Sequence, residues 1–164
     1  MNETERKFLI VYPDKEALLR FPDVSVSEIT QTYLLHPEGL SERVRRRIYA
    51  DRTAYYHTVK RFLTAMTNEE TEREISPEEY ERLLERADPA RTPVQKTRIC
   101  IPHDGHVLEI DLYPFWKKQA VLEVELESED TLLQLPSYIT VLREVTGEKI
   151  YKNRALALHI PPED

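Results

Sequence analysis

Charged residues occupy every second position in six short segments of this chain. Side chains alternate between two faces along a β-strand, so residues two apart project from the same face. Most of the segments carry charges of one sign. The six are Glu3-x-Glu5-x-Lys7, Arg43-x-Arg45-x-Arg47, Glu70-x-Glu72-x-Glu74, Lys96-x-Arg98, Glu109-x-Asp111 and Glu123-x-Glu125-x-Glu127. The spacing predicts strands, each with one charged face.

The other face of the last three segments is apolar, as in Ile99 and Ile101 or Leu122 and Val124. One interpretation is a set of ordinary two-faced strands with their charges in water. Segregation of the charges by sign weighs against it, because soluble surfaces usually mix both signs. If other elements cover the apolar faces, the charged faces can instead line an interior. The pattern favours a barrel with a charged lumen and leaves the simpler interpretation open.

The composition limits the classes of protein. The chain has 164 residues, which suits one domain, predicted over residues 1–164. A net charge of −7 argues against nucleic-acid or membrane-surface binding. Cys100 is the only cysteine and there is no membrane-spanning run, so we expect a cytoplasmic protein. With three glycines a glycine-rich phosphate loop is excluded, and any phosphate must be bound by side chains.

The local patterns predict an α+β fold made mainly of antiparallel hairpins. A turn is predicted at His36-Pro37-Glu38-Gly39, and Ser76-Pro77-Glu78-Glu79 is a capping box that begins a helix. We expect one closed or nearly closed eight-stranded antiparallel barrel with helices packed outside. The predicted strands are 3–11, 29–35, 42–50, 54–64, 69–75, 93–102, 106–113 and 119–127, and the predicted helices are 14–20, 77–87 and 137–145.

The two signs of charge suit two kinds of ligand. Arginine binds phosphoryl oxygens through its planar fork, and lysine binds them as a point charge. Paired carboxylates bind hard cations such as Mg²⁺ or Mn²⁺, which prefer oxygen ligands. In the first strand, Glu3 and Glu5 would face a metal and Lys7 an anion bound to it. Together the charged faces predict a site for a metal and a polyphosphate.

Glu3-x-Glu5-x-Lys7 resembles the signature of the CYTH superfamily, the triphosphate tunnel metalloenzymes. The resemblance extends along the whole chain, and the ending from Glu144 to Ala157 is similar to that of short stand-alone bacterial members. The further matching motifs, in order, are Arg43-Val44-Arg45, Thr58-Val59-Lys60, Glu72-Arg73-Glu74-Ile75, Lys96-Thr97-Arg98, Glu109-Ile110-Asp111 and Leu122-Glu123-Val124-Glu125-Leu126.

This resemblance implies an antiparallel tunnel that binds a triphosphate-bearing small molecule with Mg²⁺ or Mn²⁺. It also implies a lysine–tyrosine pair linked to hydrolysis of the terminal phosphate, here Lys96 and Tyr33. The sequence leaves two roles open for Glu70, Glu72 and Glu74, which are to orient luminal arginines or to bind metal. The implied metal site has Glu3, Glu5, Glu123 and Glu125 as ligands, with Glu109 and Asp111 supporting the metal or its waters. The implied phosphate-binding residues are Lys7, Arg43, Arg45, Lys60 and Arg98. Arg47 goes beyond the minimal motif but shares the same strand face, and it is predicted either to bind the substrate or to pair with a luminal acid.

Hydrolysis of inorganic triphosphate is the predicted activity, because a short chain has little to form a nucleoside pocket. The alternatives are a class IV-type adenylate cyclase, a thiamine triphosphatase, or a polyphosphate-binding module without turnover. The sequence leaves a homodimer open.

Overall fold

The computed structural model describes residues 1–36 and 39–163, which form one antiparallel sheet with short helices around it. Its strands are β1 (Asn2–Val11), β2 (Ser25–Tyr33), β3 (Leu40–Ile48), β4 (Thr53–Phe62), β5 (Thr67–Ile75), β6 (Val94–His103), β7 (His106–Leu112), β8 (Gln119–Leu126) and β9 (Val141–Glu144). The helices are α1 (Lys15–Leu18), α2 (Pro77–Leu84) and α3 (Asn153–Leu156), with a 3₁₀-helix at Lys149–Tyr151. No helix in the described ranges is long and apolar enough to cross a membrane.

Eight of these strands form a nearly closed ring in the order β1-β8-β7-β6-β2-β3-β4-β5. The ring returns from β5 to β1 through three residue pairs, Asn2 with Glu69, Glu3 with Asn68, and Thr4 with Thr67. We call this short contact the seam. The predicted α+β fold with a nearly closed eight-stranded antiparallel sheet is confirmed.

Apolar side chains cover the outside of the ring. Alternate residues of β1, β6, β7 and β8, such as Ile99 and Leu122, pack with Leu18 of α1 and with Ile139. On the other side, Tyr80 of α2 packs with Val44 of β3. The elements outside the ring therefore bury the apolar faces, as the alternation requires, and the opposite faces turn inward.

The predicted capping box begins α2. The Ser76 side chain accepts a hydrogen bond from the Glu79 backbone N–H at 3.1 Å, and Pro77 occupies the first helical position. The helix ends at Leu84 rather than at Ala87. Ala87 instead forms an isolated antiparallel bridge with Leu34, the residue that follows β2.

The helix predicted over 137–145 is wrong. Residues Val141–Glu144 are β9, which pairs with Phe8, Leu9 and Ile10 of β1. β5 covers only the first residues of β1, so the rest of that edge is free to take another strand. The predicted strand over 29–35 is shifted, since β2 runs from Ser25 to Tyr33. In the turn predicted at 36–39, Pro37 and Glu38 lie outside the described residues.

Candidate active site

One cavity runs through the interior of the ring, and all eight ring strands contribute side chains to it. The segment after β9 covers part of it with Lys152 and Arg154. The predicted site residues that line the cavity are Glu3, Glu5, Lys7, Tyr33, Arg43, Arg45, Arg47, Lys60, Lys96, Arg98, Glu109, Glu123 and Glu125. The alternation in sequence therefore brings these side chains together in one space. Their individual roles stay predictions.

Strands β3, β4 and β6 form a basic wall, defined as Arg43, Arg45, Arg47, Lys60, Lys96 and Arg98. Arg45 donates to the Gln31 side-chain oxygen at 3.1 Å, and Arg47 donates to Ser27 Oγ at 2.8 Å. Both partners are neutral. Among the described residues, the Nε atoms of Arg43 and Arg45 are buried without a hydrogen-bond partner. Within the same residues, much of the positive charge on this wall lacks a matching carboxylate, which suits an anionic ligand.

Asp111, in β7, is fully buried and does not line the cavity. Its two carboxylate oxygens accept hydrogen bonds from Arg98 at 2.8 and 2.9 Å, and Lys96 Nζ lies 2.9 Å from one of them. Burial raises the pKa of Asp111, but Arg98 and Lys96 outweigh burial, and the net shift is downward. Asp111 therefore lies near Glu109 and Glu123, but it pairs with Arg98 and Lys96 and does not line the cavity. Its contacts orient Arg98 and Lys96.

Lys96 is the most perturbed amine of the basic wall. Its ammonium group is fully buried, and burial lowers its pKa to about 7, assisted by the positive charges of Arg98 and Arg45 and opposed by Asp111. A lysine with this pKa is partly neutral near pH 7 and can exchange a proton with a bound molecule. The same cavity holds Tyr33, the predicted partner of Lys96.

Strands β1, β7 and β8 form an acidic wall, defined as Glu3, Glu5, Glu109, Glu123 and Glu125. Glu5 lies directly across from Glu125, and Glu109 across from Glu123, in the strand register. Glu123 is compensated, because Lys7 Nζ lies 3.3 Å away and Arg98 Nη2 lies 3.9 Å away. Glu109 pairs with Arg98 at 3.0 Å. The remaining carboxylates lie toward the seam.

Near the seam, burial and the neighbouring acids disfavour the negatively charged forms of Glu5 and Glu125. Burial, Glu123 and Glu3 raise the pKa of Glu5 to about 8, although Lys60 and Lys7 oppose them. Burial of part of its carboxylate, with Glu3 and Glu109 nearby, raises the pKa of Glu125 to about 7, although that residue is exposed at the rim. Glu3 Oε2 is buried and has no hydrogen-bond partner within residues 1–36 and 39–163. A hard divalent cation would satisfy this set of oxygens, so the residues present fit the implied metal.

Within residues 1–36 and 39–163, no three acidic, histidine or cysteine side chains converge closely enough to enclose a metal. This agrees with the way Mg²⁺ is commonly held, by one or two carboxylates, with substrate phosphate oxygens and water as its other ligands. The acidic and basic walls face the same cavity, so one bound polyphosphate could contact both.

The acidic residues of β5 are candidates for orienting luminal arginines, and one of their contacts agrees with that role. Glu70 lies 3.9 Å from Arg43 Nη2, and Glu72 accepts a hydrogen bond from Thr58 Oγ1 at 2.9 Å. Glu74 is near the exposed Arg52, at 3.8 Å. Only the first of these contacts orients a cavity-lining arginine directly.

Gln31 is not among the predicted site residues, and the sequence leaves Lys152 and Arg154 open between closing the tunnel and lying on the surface. Gln31 shares the inward face of β2 with Tyr33, and that parity was the available signal. Lys152 Nζ lies over the ring of Phe62, 3.6 Å from its centroid, and both residues line the cavity. No periodicity points to Lys152 or Arg154, because the chain there leaves the sheet.

A cavity with opposed acidic and basic walls, enclosed by an eight-stranded antiparallel ring, is the architecture implied by the sequence resemblance. The model of the CYTH domain family matches residues 1–149, and this chain belongs to that family. The inorganic triphosphatase of Nitrosomonas europaea is 33% identical to it, over 98% of this chain and 100% of that protein.

Solved structures have the same fold. The crystal structure of an inorganic triphosphatase superposes with a TM-score of 0.59 at 32% identity, covering 98% of this chain and 97% of that one. A Hippeastrum protein, described as a putative adenylyl cyclase with a dominant triphosphatase activity, has a TM-score of 0.51 at 17% identity. It covers 77% of this chain and 80% of its own, and at that identity the likeness concerns the fold alone.

Proposed function

We propose that this protein is a divalent-metal-dependent triphosphatase that hydrolyses the terminal phosphate of inorganic triphosphate. The observation that carries the proposal is the cavity inside the ring, where Arg43, Arg45 and Lys60 share one space with the carboxylates of Glu3 and Glu5. The identity of 33% to an inorganic triphosphatase over nearly the whole chain supports it. Water and tripolyphosphate would give pyrophosphate and phosphate.

The two walls would divide the work of binding. One or two of the carboxylates Glu3, Glu5 and Glu125 would hold the divalent cation, with substrate oxygens and water as its other ligands. The chemistry of this cation is to draw charge from phosphoryl oxygens. Arg43 and Arg45 would bind phosphoryl oxygens through their guanidinium groups. Because these donors are already fixed in a buried wall, little reorganisation is needed when charge develops in the transition state.

Lys96 and Tyr33 are the proposed catalytic residues. Lys96 Nζ, partly neutral near pH 7, would take the proton of a water that attacks the terminal phosphorus. Asp111 holds Lys96 in place through the 2.9 Å ion pair. Tyr33 Oη would donate to a phosphoryl oxygen or to the attacking water.

The decisive experiment incubates the purified protein with Mg²⁺ or Mn²⁺ and tripolyphosphate, ATP or thiamine triphosphate, and separates the products. We expect pyrophosphate and phosphate from tripolyphosphate at the highest rate. Cyclic AMP and pyrophosphate from ATP would indicate a cyclase, and faster hydrolysis of thiamine triphosphate would indicate that substrate instead. Tight binding of tripolyphosphate without any turnover would leave a binding module.

A matched pair of variants tests the acidic wall in the same assay. Glu5→Gln should reduce turnover at least about 100-fold at limiting metal, because it removes a carboxylate from the proposed metal site. Glu127→Gln removes a carboxylate of the same sequence pattern that is exposed and lies outside the cavity. It should retain the activity of the wild type. Equal activity of both variants would contradict the proposed role of Glu5.

A further inference from the structure

Gln31 is a fully buried amide near the end of β2, and it is 0% exposed. It makes two side-chain hydrogen bonds. Its Nε2 group donates to Tyr33 Oη at 2.8 Å, and its Oε1 atom accepts from Arg45 Nη2 at 3.1 Å. Tyr33 and Arg45 both line the cavity. Gln31 therefore connects a proposed catalytic hydroxyl to a proposed phosphate-binding guanidinium.

The orientation of this amide follows from the chemistry of its neighbours. A guanidinium group has only hydrogen-bond donors, so the atom of Gln31 that faces Arg45 must be the oxygen. The NH₂ group then faces Tyr33. An NH₂ group can only donate, so Tyr33 Oη must accept and its own hydrogen must point elsewhere.

The Tyr33 hydroxyl hydrogen is left available to the cavity. Tyr33 is 4% exposed, and in the part of the chain that the structure describes its hydroxyl makes no other side-chain or backbone hydrogen bond. A buried hydroxyl that lacked an acceptor would be costly, and the free space beside it is the cavity itself. A phosphoryl oxygen or a water there would supply the acceptor.

We propose that Gln31 is a positioning residue that fixes the polarity of the Tyr33 hydroxyl, so that its hydrogen is donated into the cavity. The inference rests on the proposed triphosphatase function, because it assigns the receiving atom to the phosphate or its attacking water. Arg45 contributes to this arrangement, because its guanidinium determines which end of the Gln31 amide faces Tyr33.

The first test reverses that polarity with Gln31→Glu. A carboxylate still accepts from Arg45, but it also accepts from Tyr33, which turns the hydroxyl hydrogen away from the cavity. We expect kcat for tripolyphosphate to fall about 10- to 100-fold, within the range for a lost proton donor, while KM changes less than about 3-fold. Gln31→Met removes both hydrogen bonds at similar length, leaves the hydroxyl free to rotate, and should reduce kcat less.

A double-mutant cycle separates this role from a purely structural one. If Gln31 acts through Tyr33, Gln31→Glu should have no further effect on kcat in the Tyr33→Phe background. Multiplying effects of the two substitutions would overturn the proposal. Wild-type kcat in Gln31→Glu would overturn it as well, because that variant keeps the contact with Arg45.

A second measurement needs neither turnover nor a Gln31 variant. Nitrogen-15 NMR follows the exchange of the Gln31 side-chain amide hydrogens with solvent in the wild type and in Tyr33→Phe. We expect slow exchange in the wild type and at least about 10-fold faster exchange of one hydrogen once its acceptor is removed. Unchanged exchange would refute the assigned polarity even if the protein proves inactive on every triphosphate. A normal NMR result with an inactive wild type would instead count against the proposed function.

Discussion

Glu5 lies where burial and neighbouring carboxylates oppose its negative charge. Its pKa is raised to about 8, so at pH 7 most of the metal-free protein carries a protonated Glu5. A divalent cation binds the carboxylate form only, and binding must therefore release a proton.

Metal affinity should rise as the pH increases from 6 to about 8 and then level off, because a group with a raised pKa loses its proton across that range. Calorimetric titration with Mn²⁺ in two buffers of different protonation enthalpy measures the protons released. Glu5→Gln should lower both the affinity and the proton count, whereas Glu127→Gln should not. An affinity independent of pH would contradict the assignment of Glu5.

The local alternation was enough to predict which of these side chains share a space, because the direction of a strand side chain is a local property. The alternation could not predict whether an inward-facing side chain reaches the cavity or is covered by its neighbours. Asp111 has the parity of a luminal residue, yet its carboxylate is covered by Arg98 and Lys96 from the neighbouring strand. That outcome depends on register between strands, which the residue spacing within one strand does not contain.

Among the elements, the segment after β9 closes one side of the cavity through a tight contact. Gly147 has a φ of +76°, and a Cβ atom there would lie 2.7 Å from the Cβ of Ala65, in the turn between β4 and β5. Gly105, in the turn between β6 and β7, has a φ of +78° with no atom within 4 Å of such a Cβ. The two glycines therefore have nearly the same backbone conformation, but only Gly147 is packed closely against a neighbouring residue.

Gly105→Ala should lower the free energy of unfolding by about 1 kcal/mol, the cost of a positive φ. Gly147→Ala should lower it by a further 1–3 kcal/mol or so, because the added methyl group must displace Ala65. Urea unfolding followed by circular dichroism gives both values. Equal losses for the two variants would show that the contact with Ala65 contributes little.

β9 is an element whose type local sequence signals do not determine. The sequence over 137–145 has the apolar spacing of a helix, although Val141–Glu144 form a strand. The capping box at Ser76 is also a local signal, and it predicts the start of α2 correctly. The free edge of β1 decides the outcome at β9, and that edge exists only because β5 pairs with the first residues of β1. Tertiary pairing of this kind overrides local preference.

In the molecule as a whole, the ring encloses lysine and arginine side chains whose positive charges repel one another. A bound anion would balance this repulsion. Burial and Arg43 lower the pKa of Lys60, and burial, Lys7 and Lys60 lower that of Lys152 to about 8. A polyanion that enters the cavity relieves this repulsion and binds only the folded protein, so it must stabilise the fold.

Tripolyphosphate with Mg²⁺ at about 100 times its Kd should add roughly 2.7 kcal/mol, which for a chain of this size raises Tm by about 5–10 °C. Differential scanning fluorimetry measures the shift. Arg45→Gln should reduce the shift, whereas Arg46→Gln, at the exposed next position of the same strand, should keep it. Absence of any shift at millimolar ligand would contradict a polyphosphate site in the cavity.

Charged and apolar residues alternate along the ring strands, so the direction of each side chain repeats every two residues. Insertion or loss of one residue within β8 would exchange the positions of Glu123 and Val124, so that an apolar side chain faced the ligand and a carboxylate faced the packed exterior. Relatives of this chain should therefore differ in length at the turns between strands, and a change of length inside a strand should come in steps of two.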